Sequence, residues 1–182
     1  MLHSMSIMQE SNPSVLAEGR FLRLVDDNSW EFVQRTRGTD VVGIVAITDE
    51  EEIVLVEQLR PAVGRNVIEL PAGLVGDEGD EAEAPELAAA RELEEETGFR
   101  AKHIRGLARG ASSAGLTDEQ VTLYYATGLE RVGEGGGVDN ESIAVHVVPI
   151  QDVRTFITQK IDDGCTVDFK IWSALWLVGK PG

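Results

Sequence analysis

Apolar and polar positions change period several times along the chain, and each change marks an element. Val15–Val25 and Ser29–Arg37 alternate apolar with polar residues, the two-residue period of a half-buried strand, and Asp26-Asp27-Asn28 separates them as a turn. They predict a hairpin. Val41–Ile47 is a continuous apolar run, Thr48–Glu52 an acidic turn and Ile53–Gln58 a further strand, together the core of a sheet. Strands are expected again over Ala101–Gly110, Gln120–Leu129 and Ala144–Pro149. Between them Leu87–Phe99, LAAARELEEETGF, has a helical period, with Leu87, Ala90 and Leu93 forming the apolar stripe and Ala89 at its margin. Thr97-Gly98 ends that helix with the residue best suited to a left-handed cap, and Pro85 falls in its first turn, where a missing N–H costs nothing. Ile150–Ile161 and Thr166–Val178 read as amphipathic helices, with Phe156, Trp172 and Trp176 as core or interface residues. Strands alternating with helices around one central helix give an α/β class, an α/β/α sandwich on a mixed sheet.

The length of 182 residues suits one domain with a small N-terminal appendage. Residues 1–14 have neither the basic start nor the apolar core of a signal peptide, and are expected to be a disordered or expression-derived lead. No run reaches membrane-spanning length. A net charge of −16 speaks against a nucleic-acid footprint, although a phosphate ligand can still approach through a bound cation. The single cysteine, Cys165, excludes an intramolecular disulfide and fits a cytoplasmic protein. The expectation is therefore a protein with no nucleic-acid or membrane partner.

The polar side of the Leu87–Phe99 helix carries the chemistry. Arg91, Glu92, Glu95 and Glu96 fall three and four positions apart, which stacks the Glu92 and Glu96 carboxylates on one face, read as turned outward, with Glu95 beside them. Like charges so placed cost roughly 0.2–0.5 kcal/mol per pair unless compensated. A hard divalent cation compensates them, Mg²⁺ or alternatively Mn²⁺.

Glu83, then seven residues, then Arg91-Glu92-Leu93-Glu94-Glu95-Glu96-Thr97-Gly98-Phe99 resembles the signature of the Nudix hydrolases, E-x7-R-E-U-x-E-E-x-G-U with U bulky and apolar. Asp77 stands where the family's opening glycine is expected; Gly73 looks like the true counterpart, which implies four extra residues in the acidic loop Val75–Ala82. Ser29-Trp30-Glu31-Phe32-Val33 is similar to the N-terminal strand of the family's ADP-ribose pyrophosphatase branch. The resemblance implies a Nudix-type sandwich over residues 39–182, preceded by an N-terminal β-hairpin or sheet extension over 15–38 that serves a homodimer and the nucleoside pocket.

It also implies roles residue by residue. Glu92, Glu95, Glu96 and the carbonyl of Ala72 become metal ligands, Arg91 orients the carboxylates, and Glu83 ties down the loop or touches an outer metal. Trp30, which by its strand position reads equally as a half-buried cross-strand anchor, becomes a base-stacking residue, with Arg35, Arg60 and Glu69 as further substrate contacts. As a lone cation just past a strand, Arg60 reads equally as a surface ion pair. Glu141, in the glycine-rich acidic loop Glu130–Ser142, becomes the general base or the residue that orients water. Ala114 stands where ADP-ribose hydrolases tend to carry a proline, which leaves room for other sugar nucleotides. His146 reads as a structural histidine. The implied reaction is metal-dependent hydrolysis of the pyrophosphate bond of nucleoside diphosphate sugars. Rival readings are a hydrolase of dinucleoside polyphosphates, of oxidised nucleotides or of capped RNA, and a non-hydrolytic sensor on the same fold.

Overall fold

A computed structural model of the chain describes residues 13–37, 40–76, 82–138 and 142–180. The chain divides into two compact units, Met1–Arg37 with Ala111–Glu119, and Gly38–Gly110 with Gln120–Gly182.

In the first unit β1 (Ser14–Glu18), β2 (Leu22–Asp27) and β3 (Trp30–Arg35) form an antiparallel sheet in that order. The predicted hairpin is thus a three-stranded meander. Its first arm breaks at Gly19-Arg20-Phe21, where the Gly19 N–H donates to the Leu22 carbonyl at 2.8 Å. Arg20 and Phe21 keep the alternation going through the turn, so periodicity alone does not reveal the break. The second turn falls later than the expected Asp26-Asp27-Asn28: Asp26 and Asp27 belong to β2, Asn28 and Ser29 both take positive φ, 56° and 69°, and Asp27 pairs with Trp30. The segment Ala111–Glu119 adds to this unit through the Val33 N–H, which donates to the Leu116 carbonyl at 2.8 Å.

The second unit contains β4 (Asp40–Ala46), β5 (Glu52–Arg60), β6 (Arg65–Glu69), β7 (Ala72–Leu74), α1 (Pro85–Thr97), β8 (Phe99–Ala111), β9 (Gln120–Arg131) and β10 (Ala144–Pro149). After a single 3-10 turn at Ile150–Asp152 follow α2 (Val153–Asp162), β11 (Thr166–Val167) and α3 (Lys170–Leu177). Its strands make two four-stranded sheets, ordered β10-β5-β6-β11 and β7-β4-β9-β8. Both sheets are mixed: β4 runs parallel to β9 and antiparallel to β7, while β6 runs parallel to β11 and antiparallel to β5.

Successive residues of the central strands face opposite layers. Val42, Ile44, Ala46, Val54, Tyr124 and Ala126 pack with Ala88, Ala89 and Leu93 of α1. Val45, Ile47, Ile53, Leu55 and Leu123 pack with Val153 and Ile157 of α2 and with Ile171 and Leu175 of α3. The result is the expected α/β/α sandwich. The continuous apolar runs of β4 and β5 follow from it, because both faces of these strands are covered by helices. No helix among the described residues is long and apolar enough to cross a membrane.

Two details of the predicted helices change. The buried stripe of α1 is Ala88, Ala89 and Leu93, whereas Leu87 is 64% exposed. Two adjacent alanines bring the helix close to the sheet and roll Leu87 outward. The predicted helix at 166–178 begins at Lys170, because Thr166 and Val167 pair with Val67 and Ile68 as the short β11. The Asp168 carboxylate then accepts the Lys170 N–H at 2.8 Å at the start of α3.

Candidate active site

The site is built where β7 lies against α1. Pro71 lies in the link between β6 and β7, and its carbonyl accepts the Ile44 N–H at 2.8 Å; Ala72 and Gly73 then pair with Gly43 and Val42 of β4. The Ala72 N–H donates to the Glu96 carboxylate at 3.0 Å. Gly73 sits so near the helix that a Cβ there would fall 1.9 Å from Cδ of Glu92. Any side chain at position 73 would displace that carboxylate. Glu96 is 4% exposed. The glutamate face of α1 is therefore turned towards β7 and not outward, as the helical pattern alone suggests.

Arg91 is the hub. Its Nε donates to Glu83 at 3.0 Å, Nη1 to Glu92 at 2.8 Å and to Glu95 at 3.2 Å, and Nη2 to Glu83 and to the Leu74 carbonyl, both at 3.2 Å. All five donors of the guanidinium are engaged. Glu83 in turn accepts the Gly76 N–H at 2.8 Å, so it ties the chain following β7 to the helix. The hydrogen bond from Arg91 holds the Glu83 carboxyl below the usual range against the opposing effect of burial, with help from Gly76. The same pairing raises the guanidinium further above its ordinary value.

Among the described residues no three acidic, histidine or cysteine side chains already converge as a closed cage for a metal ion. The donor chemistry nevertheless fits a hard divalent cation. Glu83, Glu92 and Glu95 meet a single guanidinium and Glu96 takes the Ala72 N–H, leaving an excess of carboxylate charge beside the Ala72 backbone. Glu92, Glu95, Glu96 and the Ala72 carbonyl are all oxygen donors on two adjoining elements, the kind of set that suits Mg²⁺ or Mn²⁺ better than softer metals.

The remaining candidates are distributed over both units. In the second, Arg60 at the end of β5 donates to Glu69 at the end of β6 at 2.7 Å, so these two substrate candidates meet as an ion pair. In the first, Trp30 opens β3 and is 62% exposed, and the Arg35 guanidinium pairs with Glu119 at 2.6 Å. Ala114 lies on the exposed turn where the Leu116 and Thr117 N–H groups return to the Ser113 carbonyl. Glu141 and most of the acidic loop Val75–Ala82 lie outside the described residues. His146 is a satisfied structural residue: Nε2 lies 3.0 Å from the Glu57 carboxylate and its ring packs on Phe156.

One part of the site has no signal in the helix motif itself. The first part of the expected glycine-rich loop after β9 stays on the helix; Gly136 and Gly137 donate to the carbonyls of Glu96 and Glu95 at 2.8 and 3.1 Å. Four glycines within Glu130–Ser142 are the only sequence hint, and glycine richness reads by default as flexibility.

The NUDIX domain family matches residues 38–167 of this chain. The methanol dehydrogenase activator of Bacillus methanolicus is 35% identical over 133 residues, which cover 72% of this chain and 70% of that protein. The ADP-ribose pyrophosphatase of Bacillus subtilis (strain 168) is 34% identical over 120 residues, 65% of this chain and 63% of that protein, so the match spans less than two thirds of that relative. Among solved structures, an ADP compounds hydrolase superposes with a TM-score of 0.68 over 92% of this chain and 90% of its own, at 22% identity, a likeness of fold.

Proposed function

This chain belongs to the NUDIX domain family, and from that membership we propose that it hydrolyses the pyrophosphate bond of nucleoside diphosphate sugars with Mg²⁺. Substrates of the ADP-ribose, ADP-glucose and GDP-mannose class give a nucleoside monophosphate and a sugar phosphate. The observation that carries the reading is the convergence of Glu83, Glu92 and Glu95 on Arg91, with Glu96 anchored on the Ala72 backbone. The likeness to an ADP-ribose pyrophosphatase supports it. A sensor on this fold has no need of so complete a carboxylate set.

Glu92, Glu95, Glu96 and the Ala72 carbonyl would hold the metal, which when bound polarises phosphoryl oxygens and lowers the pKa of water. Mn²⁺ suits the same donors. Arg91 orients Glu92 and Glu95 and limits their mutual repulsion, and the Ala72 N–H fixes the rotamer of Glu96. In the reaction a water oxygen attacks one phosphorus and the bridging P–O bond breaks. The proton of the water passes to Glu141 or, among the described residues, to Glu95 or Glu119. Arg60 and Glu69 would exchange their mutual ion pair for contacts with phosphate and ribose, and Arg35 would leave its pair with Glu119 to stack on the base. Trp30 offers an exposed ring for base stacking, with Ala114 as a residue that relaxes the choice of sugar.

A homodimer accompanies this reading. Val15, Leu16, Phe21, Leu22 and Trp30 of the first unit are all about half exposed or more, more apolar surface than so small a sheet leaves in water without a partner.

The test is nucleoside-monophosphate release, with Mg²⁺ and with chelator, over ADP-ribose, ADP-glucose, GDP-mannose, UDP-glucose, a dinucleoside tetraphosphate and nucleoside triphosphates. Metal-dependent turnover of several diphosphate sugars is expected. Tight binding of one compound without turnover would replace the enzyme by a sensor.

A further inference from the structure

The last turn of α1 is held from a distance. Four carbonyls at the end of a helix lack intrahelical partners. Here the Glu94 carbonyl receives the Gly98 N–H at 2.8 Å, the left-handed glycine cap expected from Thr97-Gly98. The next two, on Glu95 and Glu96, receive the N–H groups of Gly137 and Gly136, which lie some forty residues further along. Beyond the helix the Gly98 carbonyl accepts the N–H groups of Val132 and Gly133, at 2.8 and 3.1 Å. The Gly136 carbonyl accepts the Ile143 N–H at 3.3 Å, so the chain on either side of residues 139–141 returns to the same point.

The approach is backbone against backbone. A Cβ on Gly135 would fall 2.4 Å from the Thr97 carbonyl carbon and 2.6 Å from the Glu96 oxygen; a Cβ on Gly98 would fall 2.3 Å from the Gly133 oxygen. No flexible side chain can move aside, because the atoms met are main chain. Gly135, Gly136 and Gly137 also hold φ of 71°, 110° and 84°, where other residues are strained. Mobility does not require three consecutive glycines of this kind, but close docking on a helix end does.

We propose that Gly133–Gly137 is a positioning strap for the metal-binding helix: by capping the Glu95 and Glu96 carbonyls it fixes the backbone from which those two carboxylates project. The inference rests on the pyrophosphatase reading, since it assigns Glu95 and Glu96 the metal-holding role given above. The strap touches no substrate and supplies no reacting group. Its effect is on where two ligands stand, and misplacement of a catalytic group by about 1 Å costs on the order of 100-fold in rate.

The experiment compares Gly135→Ala with Gly110→Ala, whose added Cβ meets nothing within 4 Å. Both are measured in the full chain for kcat and KM on the best diphosphate sugar, for half-saturation by Mn²⁺ in turnover, and for Mn²⁺ binding by electron paramagnetic resonance without substrate. Gly135→Ala is expected to lower kcat about 10- to 100-fold, raise the Mn²⁺ half-saturation and weaken substrate-free Mn²⁺ binding, with sugar-nucleotide KM changed less than about threefold; Gly110→Ala is expected to match the parent. If Gly135→Ala does not fold, Gly136→Ala takes its place, because its Cβ meets nothing closer than the Ile143 oxygen at 3.8 Å and only the φ of 110° opposes it. A folded strap variant with parental kcat and Mn²⁺ affinity overturns the inference. A parent protein that binds Mn²⁺ but turns over no sugar nucleotide overturns the activity reading instead, and the Mn²⁺ comparison still decides whether the strap positions the ligands.

Discussion

Glutamine at position 96 separates charge from packing. The Glu96 side chain accepts the Ala72 N–H, and a glutamine carbonyl can do the same, so Glu96→Gln removes a metal-binding charge while keeping the contact. The expected result is a turnover lower by roughly two to three orders of magnitude, with a thermal midpoint within about 4 °C of the parent. Near-parental turnover at saturating Mg²⁺ would contradict the assignment of Glu96. Arg91 presents the opposite case. Replacing it by methionine strips the guanidinium that Glu83, Glu92 and Glu95 share, and leaves three mostly buried carboxylates facing one another. Unfolding free energy should fall by about 3 kcal/mol, and Mg²⁺ should restore part of it by binding the folded state. Urea titrations with and without Mg²⁺ measure both effects. Arg91 and its glutamates were legible because helix spacing alone brings them together. The Glu92 carboxylate under Gly73 was not, since no local pattern says which strand a helix face will meet.

At the scale of elements, α1 shows how far periodicity reaches. The helix, its proline start and its glycine stop follow from the sequence, and each is a local interaction. The rotation of the helix about its axis differs from the one its pattern suggests, because Leu87 outranks alanine as an apolar residue while packing distance favours the alanines. The two assignments make opposite predictions at Leu87, while Leu93 is buried in both and serves as the reference. Leu93→Ala should destabilise the protein by about 2–5 kcal/mol as a core truncation, and Leu87→Ser should stay within about 0.5 kcal/mol, as surface changes do. Chemical denaturation of the two variants tests the rotation. The meander at the N-terminus and the two-residue β11 were missed for a related reason: one is interrupted by a turn that keeps the alternation, and the other is too short to show a period.

Across the whole molecule the arrangement least visible in the sequence is the cluster around Glu57, which joins β5 to β6, β10 and the end of α2. Lys160 donates to its carboxylate at 2.7 Å and Asn66 at 2.9 Å, His146 lies at 3.0 Å, and the Cys165 thiol approaches at 3.6 Å. His146 and Lys160 stand 89 and 103 residues from Glu57, so only the assembled sandwich brings them together. Burial alone would push the Glu57 carboxyl up, but the hydrogen bonds of Lys160, Asn66 and His146 and the charge of Lys160 outweigh it and bring it down to about 2. A carboxyl whose folded value lies below its unfolded value of 4.5 stabilises the fold at neutral pH, and that contribution is lost as pH falls from about 4.5 towards 2. The full shift corresponds to stability on the order of 3 kcal/mol. Because glutamine mimics the protonated carboxyl, Glu57→Gln should be less stable than the parent at pH 7, with the gap narrowing as pH drops through that window. Urea unfolding of both proteins at pH 7, 4 and about 2.5 reads the difference directly and cancels the other carboxylates of a chain with a net charge of −16. A gap that stays constant with pH would mean that the Glu57 cluster stabilises the sandwich by shape and not by charge.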